Sequence, residues 1–387
     1  MDPLLVGSLR SCRRRDWACR WLGPLVRPTR KTATLADVAA LAGVSQQTVS
    51  RVVNNVATVA PRTLMRVQAA VAELNYVPNR LAQGLARQRT QSIGFATNDI
   101  SLHAPSQLAS GIERAARSRG FSLIVSNVYD YGIGPVTQAI AALTERQVDG
   151  LLINASLSSA DAEEIQRRFP GVPCVFLDLP TGAPVHAAIL DQYHGSRLAA
   201  AHLLELGHTR LAFLREPGGA VAEHSRLAGW QDALAGRGLV AVCQEEGDWS
   251  PVSGYLATQR LLASGNPFTA LLVANDQMAM GALRALWERG LRVPADVSVI
   301  GYDDTPESAL LIPPLTTVRQ DFGTLGQRAF GHLWDLLAEP DQPARVTLTR
   351  PDLIVRASTA APPAAGVDRL REALNVLADE AYWTKSG

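Results

Sequence analysis

From residue 92 onward the chain alternates short apolar runs with longer amphipathic stretches, and this constrains the fold more than any other feature. Candidate strands are Ile93–Ala96, Leu123–Ser126, Gly150–Asn154, Cys174–Asp178, Ala188–Leu190, Leu211–Leu214, Ala270–Ala274 and Val297–Tyr302. Helical stretches lie between them, among them Ser106–Arg119, His194–Leu206, Leu227–Ala235 and Asp276–Arg289. Such alternation predicts parallel sheets joined by crossover helices. About eight such units are too many for one compact doubly wound sheet, so two lobes are expected. Ligands of these sheets bind beyond the carboxyl ends of the strands. The polar residues closing the strands are therefore candidates: Asn98, Asn154, Asp178, Asn275 and Asp303.

Charge separates the two ends of the chain. The net charge is only +1, yet residues 1–31 carry eight Arg or Lys against two Asp, and residues 32–91 carry six Arg against Asp37 and Glu73. The remainder is net acidic. Basic charge confined to one end suits a nucleic-acid-binding module on a neutral sensor; a solvated basic tail would look the same on charge alone. No apolar run approaches the roughly 20 residues of a membrane-spanning helix. Residues 1–33 lack the apolar centre of a secretory signal and read as a disordered basic extension. The four cysteines, Cys12, Cys19, Cys174 and Cys243, form no C-x-x-C pair and no zinc spacing, which fits a reducing cytoplasm.

Residues 34–54 read as helix, turn, helix. Thr34 and Asp37 give a capping-box start. Leu35, Val38, Ala39 and Ala42 share one face, and Gly43 stands where a helix stops in the left-handed region. Ser45 caps a second helix, Gln46 to Asn54. A third runs from Pro61 to about Leu74 with the stripe Leu64, Val67, Val71, Leu74. In such a module the second helix enters the major groove by its N-terminal end. Gln46 and Gln47 suit base edges, Arg51 suits guanine or phosphate, and Ser45, Thr48, Ser50 and Asn54 can fix register on phosphates. The pattern alone also fits a generic three-helix bundle. Asn79 to Arg87 read as a short, weak helix with Gly84 inside it, and 79–90 as a hinge that need not always be helical.

The stretches TLADVAALAGVSQQTVSRVVNN and AELNYVPNRLAQGLA resemble the DNA-binding region and hinge of LacI/GalR repressors. The likeness continues through LHAPSQ, SRLAGW, EGDWS, LLVANDQMAMGA, VIGYDDT and IPPLTT, from Thr34 to beyond Asp321. It implies that Gln46, Gln47 and Arg51 read bases in double-stranded operator DNA, and that Leu35, Asn79 and Ala82 also touch DNA. Leu85 is then the apolar wedge pushed between base pairs when the hinge helix forms; packing against its dimer mate is the alternative. The resemblance also implies a homodimer responsive to a small, galactoside-like sugar, with no cofactor. Asp178, Arg226, Asn275 and Asp303 would grip sugar hydroxyls, Trp249 and Phe322 would pack on the ring, and His103 would line the N-terminal lobe. Close members of the family carry an aromatic at Gln46 and at Ala36, a hydroxyl cap at Ala60, glutamine at Gly84, and serine at Asn98 and Ala222. These departures bear on the operator and on the identity of the sugar.

Sugars donate and accept through each hydroxyl, so their sites gather Asp, Asn and Arg plus an aromatic. Asn154, Asp178, Arg226, Trp249, Asn275 and Asp303 have that chemistry as a set. Singly, a strand-end Asp is equally a helix cap, Trp249 a core residue, and His103 a structural hydrogen-bonder. Asp303-Asp304 lacks a nucleophile or metal cluster beside it, so no enzyme is expected. A sugar- or nucleoside-binding receptor without a DNA role would share the sensor fold but not residues 34–90. The expected plan is an extension (1–33), an all-α helix-turn-helix domain (34–78), a hinge helix (79–90), and a sensor (91–360). That sensor is α/β, two doubly wound parallel-sheet lobes of periplasmic-binding-protein type. A linker and C-terminal helix follow (361–387), with Val367, Leu370, Leu374, Leu377 and Ala381 spaced as a short heptad seam. That tail is expected to join two dimers into a tetramer; a frayed amphipathic tail is the alternative.

Overall fold

The computed structural model describes residues 33–53, 59–77, 89–217 and 226–363. Asn54, Asn79, Ala82, Leu85, most of the expected hinge, the basic extension up to residue 32 and the C-terminal helix lie outside the described residues. The chain divides into two compact units, residues 1–83 and 84–387.

In the first unit, helix α1 (Leu35–Ala42) starts at the expected capping box, with the Thr34 hydroxyl accepting from the Asp37 amide at 3.3 Å. It ends at Gly43, whose φ of 61° favours glycine. A Cβ there would also stand 2.6 Å from the Arg66 guanidinium, which donates to the carbonyls of Ala42 and Gly43. Helix α2 (Gln46–Val53) buries Val49 and Val52; α3 (Pro61–Glu73) buries Val67 and Ala70. With Val38, Ala39, Ala42 and Tyr76 they form one small core. Leu64, read as part of the buried stripe, is 36% exposed. The buried residues of this helix are Val67 and Ala70, with Val71 and Leu74 partly buried against the core. Ala60 makes no side-chain cap, as its lost hydroxyl predicts.

The second unit holds two six-stranded sheets. Its elements are β1 (Ser92–Thr97), α4 (His103–Ser118), β2 (Ser122–Asn127), α5 (Ile133–Glu145), β3 (Gly150–Asn154), α6 (Ser159–Arg168), β4 (Cys174–Phe176) and β5 (Ala187–Leu190). Then come α7 (Gln192–Glu205), β6 (Leu211–Arg215), α8 (Arg226–Ala235), β7 (Cys243–Glu246), α9 (Pro251–Ala263), β8 (Ala270–Val273), α10 (Asp276–Glu288), β9 (Ser298–Asp303), β10 (Thr316–Arg319), α11 (Phe322–Ala338), β11 (Val346–Thr349) and β12 (Asp352–Ile354). The N-lobe order is β11-β5-β4-β3-β1-β2 and the C-lobe order is β12-β10-β9-β8-β6-β7. The chain crosses between lobes three times, after β5, β10 and β11. Helices cover both faces, which is why the central strands are continuous apolar runs. Phe95 and Leu152 pack under Leu108, Ile112 and Phe330 in the N-lobe; Phe213, Leu272 and Ile300 pack with Trp230 and Met278 in the C-lobe.

The expected lobes are present, with two corrections. Strand β12 pairs antiparallel with β10, so the C-lobe sheet is parallel except at that edge. The strand expected to reach Asp178 ends at Phe176. The register places Phe176 opposite Ala187 and frees Leu177 and Asp178 to turn into the space between the lobes.

Two buried histidines meet in the N-lobe, the His186 Nδ1 standing 3.0 Å from the His332 Nε2. Burial, then the Arg345 charge, lowers the His332 pKa to about 4. A depressed histidine contributes stability that is present above its unfolded pKa and lost as pH falls toward the folded one. The stability advantage of the wild type over His332→Gln is therefore expected to shrink between pH 7.5 and pH 5. Melting curves of both proteins at the two pH values measure it; a constant advantage would refute a neutral His332.

Candidate functional site

On α2 the buried residues Val49 and Val52 fix which face looks outward. Gln46, Gln47 and Arg51 are exposed on that face; Gln47 and Arg51 stand one turn apart. Thr48 and Ser50 are half-buried, and Leu35 is half-buried against the core. Ser45 is exposed, but its hydroxyl is engaged within the helix start, accepting from the Thr48 amide at 3.2 Å and lying 2.9 Å from the Thr48 hydroxyl. Ser45 thus builds the N-terminus of α2 whatever else it touches. Free backbone N–H groups at a helix start favour anionic groups. This end of α2 combines them with two exposed amides, and the Arg51 guanidinium follows in the last turn.

In the second unit the strand ends of the two lobes face a cleft of about 970 Å³, its open mouth included. All nine residues singled out for ligand binding line it. From the N-lobe come Asn98 after β1, His103 opening α4, Asn154 closing β3, Asp178 after β4, and Phe322 at the third residue past β10. The C-lobe supplies Arg226 opening α8, Trp249 before α9, Asn275 capping α10, and Asp303 closing β9.

Arg226 is the centre of this site. Its Nε donates to the Gln192 Oε1 at 2.9 Å, one Nη donates to the Ala274 carbonyl, and the other lies 3.4 Å from the Asp303 Oδ1. The guanidinium carbon sits 4.2 Å from the Tyr302 ring centre and 5.1 Å from that of Trp249. Gln320 donates to the same Asp303 oxygen at 2.8 Å. Burial pushes the Asp303 carboxyl up to about 6, with Arg226 and Gln320 opposing. Behind it Asp276 is fully buried and accepts from the Thr305 amide, the Ser308 hydroxyl and the Thr317 hydroxyl at 2.9, 2.6 and 2.6 Å. Burial and the nearby Asp303 push its carboxyl up to about 7.

Some cleft residues are already committed. Asn275 accepts from the Met278 amide at 2.8 Å and donates to the Trp249 carbonyl at 3.0 Å, so it shapes the wall as well as facing the cleft. Asn154 donates to the Thr97 hydroxyl at 2.9 Å. Contacts cross the cleft between the lobes: the His103 amide donates to Gln277 at 3.3 Å, and the Trp249 indole donates to the Tyr131 hydroxyl at 3.3 Å. The His103 ring packs edge-on against Phe322, and burial lowers its pKa. Sequence reasoning missed Gln192, Gln277, Tyr131 and Glu216. Gln192 is the second residue past β5 and was legible by the same strand-end rule. It donates to Asp178 at 3.4 Å while accepting from Arg226, and so links the two lobes through one amide.

A helix-turn-helix unit and a two-lobed cleft on one chain define a ligand-responsive DNA-binding regulator. Residues 34–79 match the bacterial regulatory proteins of the lacI family, and residues 200–359 match the periplasmic binding protein-like domain. The chain is 46% identical to the lactose operon repressor of Escherichia coli strain K12 over 306 residues, covering 79% of this chain and 85% of the relative. It superposes with a TM-score of 0.80 on a crystal structure of the Lac repressor dimer bound to operator and the anti-inducer ONPF, at 44% identity over 86% of this chain and all of that one. A CelR–cellobiose complex, a transcriptional regulator, follows at a TM-score of 0.62 and 31% identity, over 84% of this chain and 99% of that one. The chain belongs to the lacI family of bacterial regulatory proteins.

Proposed function

We propose that this chain is a cytoplasmic transcriptional repressor that binds operator DNA as a homodimer and releases it when a small sugar, of galactoside type, enters the cleft. It is a regulator and not an enzyme. The observation that carries the reading is the cleft itself. Asp178 from one lobe and Arg226 and Asp303 from the other present acceptors and a planar donor fork to one space, and Trp249 and Phe322 flank it. That is the donor, acceptor and flat apolar face a pyranose needs. The Gln192 link between Asp178 and Arg226 gives the sugar a way to act on both lobes, and a ligand shifts a conformational balance only through such differential contacts. Support for the DNA role comes from the exposed Gln46, Gln47 and Arg51 on α2, and from the operator complex of the Lac repressor relative. The domain plan and the DNA contacts of Leu35, Ser45, Thr48, Ser50, Asn54, Asn79, Ala82 and Leu85 are part of the same proposal.

The test is operator binding by fluorescence anisotropy, using a duplex selected from a randomised library, at two salt concentrations and with galactosides, glucosides or nucleosides added. Affinity is expected to fall with salt, as counterion release requires, and to fall further only with a sugar. A thermal-shift screen identifies the effector independently, since a ligand at 100 times its Kd stabilises by about 2.7 kcal/mol. Response to a nucleoside but to no sugar would overturn the sugar reading. Failure to select any duplex would overturn the DNA reading.

A further inference from the structure

One buried carboxylate in the cleft has no task in the site as described. Glu216 follows β6, lines the cleft and is 5% exposed. Its Oε1 accepts from the Leu227 amide in the first turn of α8 at 3.2 Å. Its Oε2 is buried with no hydrogen-bond partner among the described residues. A carboxylate oxygen removed from water without a partner is costly, and such groups mark places that a ligand completes. The charges around it point the same way. Asp178, Glu216 and Asp303 line the cleft against Arg226, and Arg226 is already engaged with Asp303, Gln192 and the Ala274 carbonyl. Among the described lining residues no second Lys or Arg offsets the carboxylates.

We propose that Glu216 is a specificity-determining residue of the cleft: its unpaired oxygen accepts a hydrogen bond from a hydroxyl or ammonium group of the effector, and the cleft takes uncharged or amine-bearing sugars while rejecting acidic ones. This rests on the sugar reading above. An acidic sugar would bring a further anion among three carboxylates, at short range in a poorly solvated space, where like charges repel strongly. A neutral sugar instead supplies the missing donor, and an amino sugar supplies a charged one.

The experiment is calorimetric titration of the full chain, wild type and Glu216→Gln, with methyl galactoside, galactosamine and galacturonate, and with their gluco counterparts. Glutamine keeps an oxygen for the Leu227 amide but replaces the charged acceptor with an NH2 donor, which a hydroxyl can meet only as a neutral acceptor and an ammonium cannot meet at all. The tightest neutral sugar is expected to lose at least tenfold in affinity in Glu216→Gln. The uronate is expected to bind the wild type at least tenfold more weakly than the matching neutral sugar, with that gap narrowing in the variant. The melting temperature without sugar is expected to hold or rise, because the variant relieves an unpaired buried charge; a residue that served only to hold α8 would lower it. Neutral-sugar affinity within twofold of the wild type, or a uronate bound as tightly as its neutral counterpart, overturns the assignment of Glu216 and leaves the sugar reading standing. If no sugar binds the wild type, the sugar reading fails and this proposal fails with it.

Discussion

Arg226→Ala is expected to lose at least a hundredfold in sugar affinity and to destabilise the sensor by roughly 3 kcal/mol, the usual cost of stripping one partner from a buried ion pair. The side chains of Arg226 and Asp303 are 7% and 5% exposed. Removing the guanidinium leaves the Asp303 side chain buried near Asp276, with Gln320 as its hydrogen-bond donor among the described side chains, and takes the cation from between Tyr302 and Trp249. The pH dependence follows. Without Arg226 the Asp303 carboxyl moves further above its present value of about 6. A carboxyl whose folded pKa is raised contributes stability at low pH that is lost as pH rises through the folded pKa. The variant's deficit is therefore expected to be larger at pH 8 than at pH 5. The double variant Arg226→Ala with Asp303→Asn separates the two roles of the arginine, because it removes both charges. Stability is expected to recover in melting curves and sugar affinity is not. A sugar response of ordinary size in Arg226→Ala would remove this residue as the clamp and centre the site on Asn275 and Asp303.

Much of this architecture is legible in the sequence because the central strands are covered on both faces. Gly150–Asn154 and Ala270–Val273 are runs of apolar residues with no competing reading, and the structure places them within a residue of expectation. Strand β7, Cys-Gln-Glu-Glu, is invisible by the same rule. It lies at the sheet edge, alternates half-buried and exposed positions, and is held by pairing with β6 rather than by its own hydrophobicity. Strands β10, β11 and β12 are short, Thr-rich or polar, and mark the crossings between lobes, where topology rather than local pattern decides the conformation.

The cleft shows the same division. Strand-end polar residues converge because parallel strands end together, so Asn154, Asp178, Asn275 and Asp303 were predictable as a group. The state of each was not. Asp276 reads as an ordinary first-turn acid of α10, yet its partners Thr305, Ser308 and Thr317 lie 29, 32 and 41 residues away. No local pattern could foresee that burial beside Asp303 would raise its pKa, or that those three groups would surround it and oppose the rise. Glu216 was hidden for a simpler reason: Arg215-Glu216-Pro217-Gly218 has the composition of a solvated loop. Only the packing of α8 beside β6 reveals it as buried.

Replacing Gln47 by Ala is expected to relax base preference at one operator position by about 1–3 kcal/mol, the worth of a good bidentate base contact, while binding to unrelated duplex stays unchanged. Gln47 lies exposed in the first turn of α2, with no described hydrogen bond that would tie it to its own unit. Its loss therefore carries no folding penalty beyond the small propensity difference between Gln and Ala on a helix surface. Ser45 provides the contrast. Its hydroxyl accepts from the Thr48 amide, so Ser45→Ala is expected to fray the start of α2 by about 1 kcal/mol and to weaken all duplexes alike. Arg51, exposed one turn beyond Gln47, is the residue whose loss should reduce the salt slope if it contacts phosphate, or relax a guanine preference if it contacts a base. Selection of bound duplexes from a randomised library, run in parallel for the wild type, Gln47→Ala, Ser45→Ala and Arg51→Ala, resolves the three roles. If Gln47→Ala selects the same sequences as the wild type, the exposed face of α2 does not read the operator through this residue, and base recognition must be reassigned to Gln46 and Arg51.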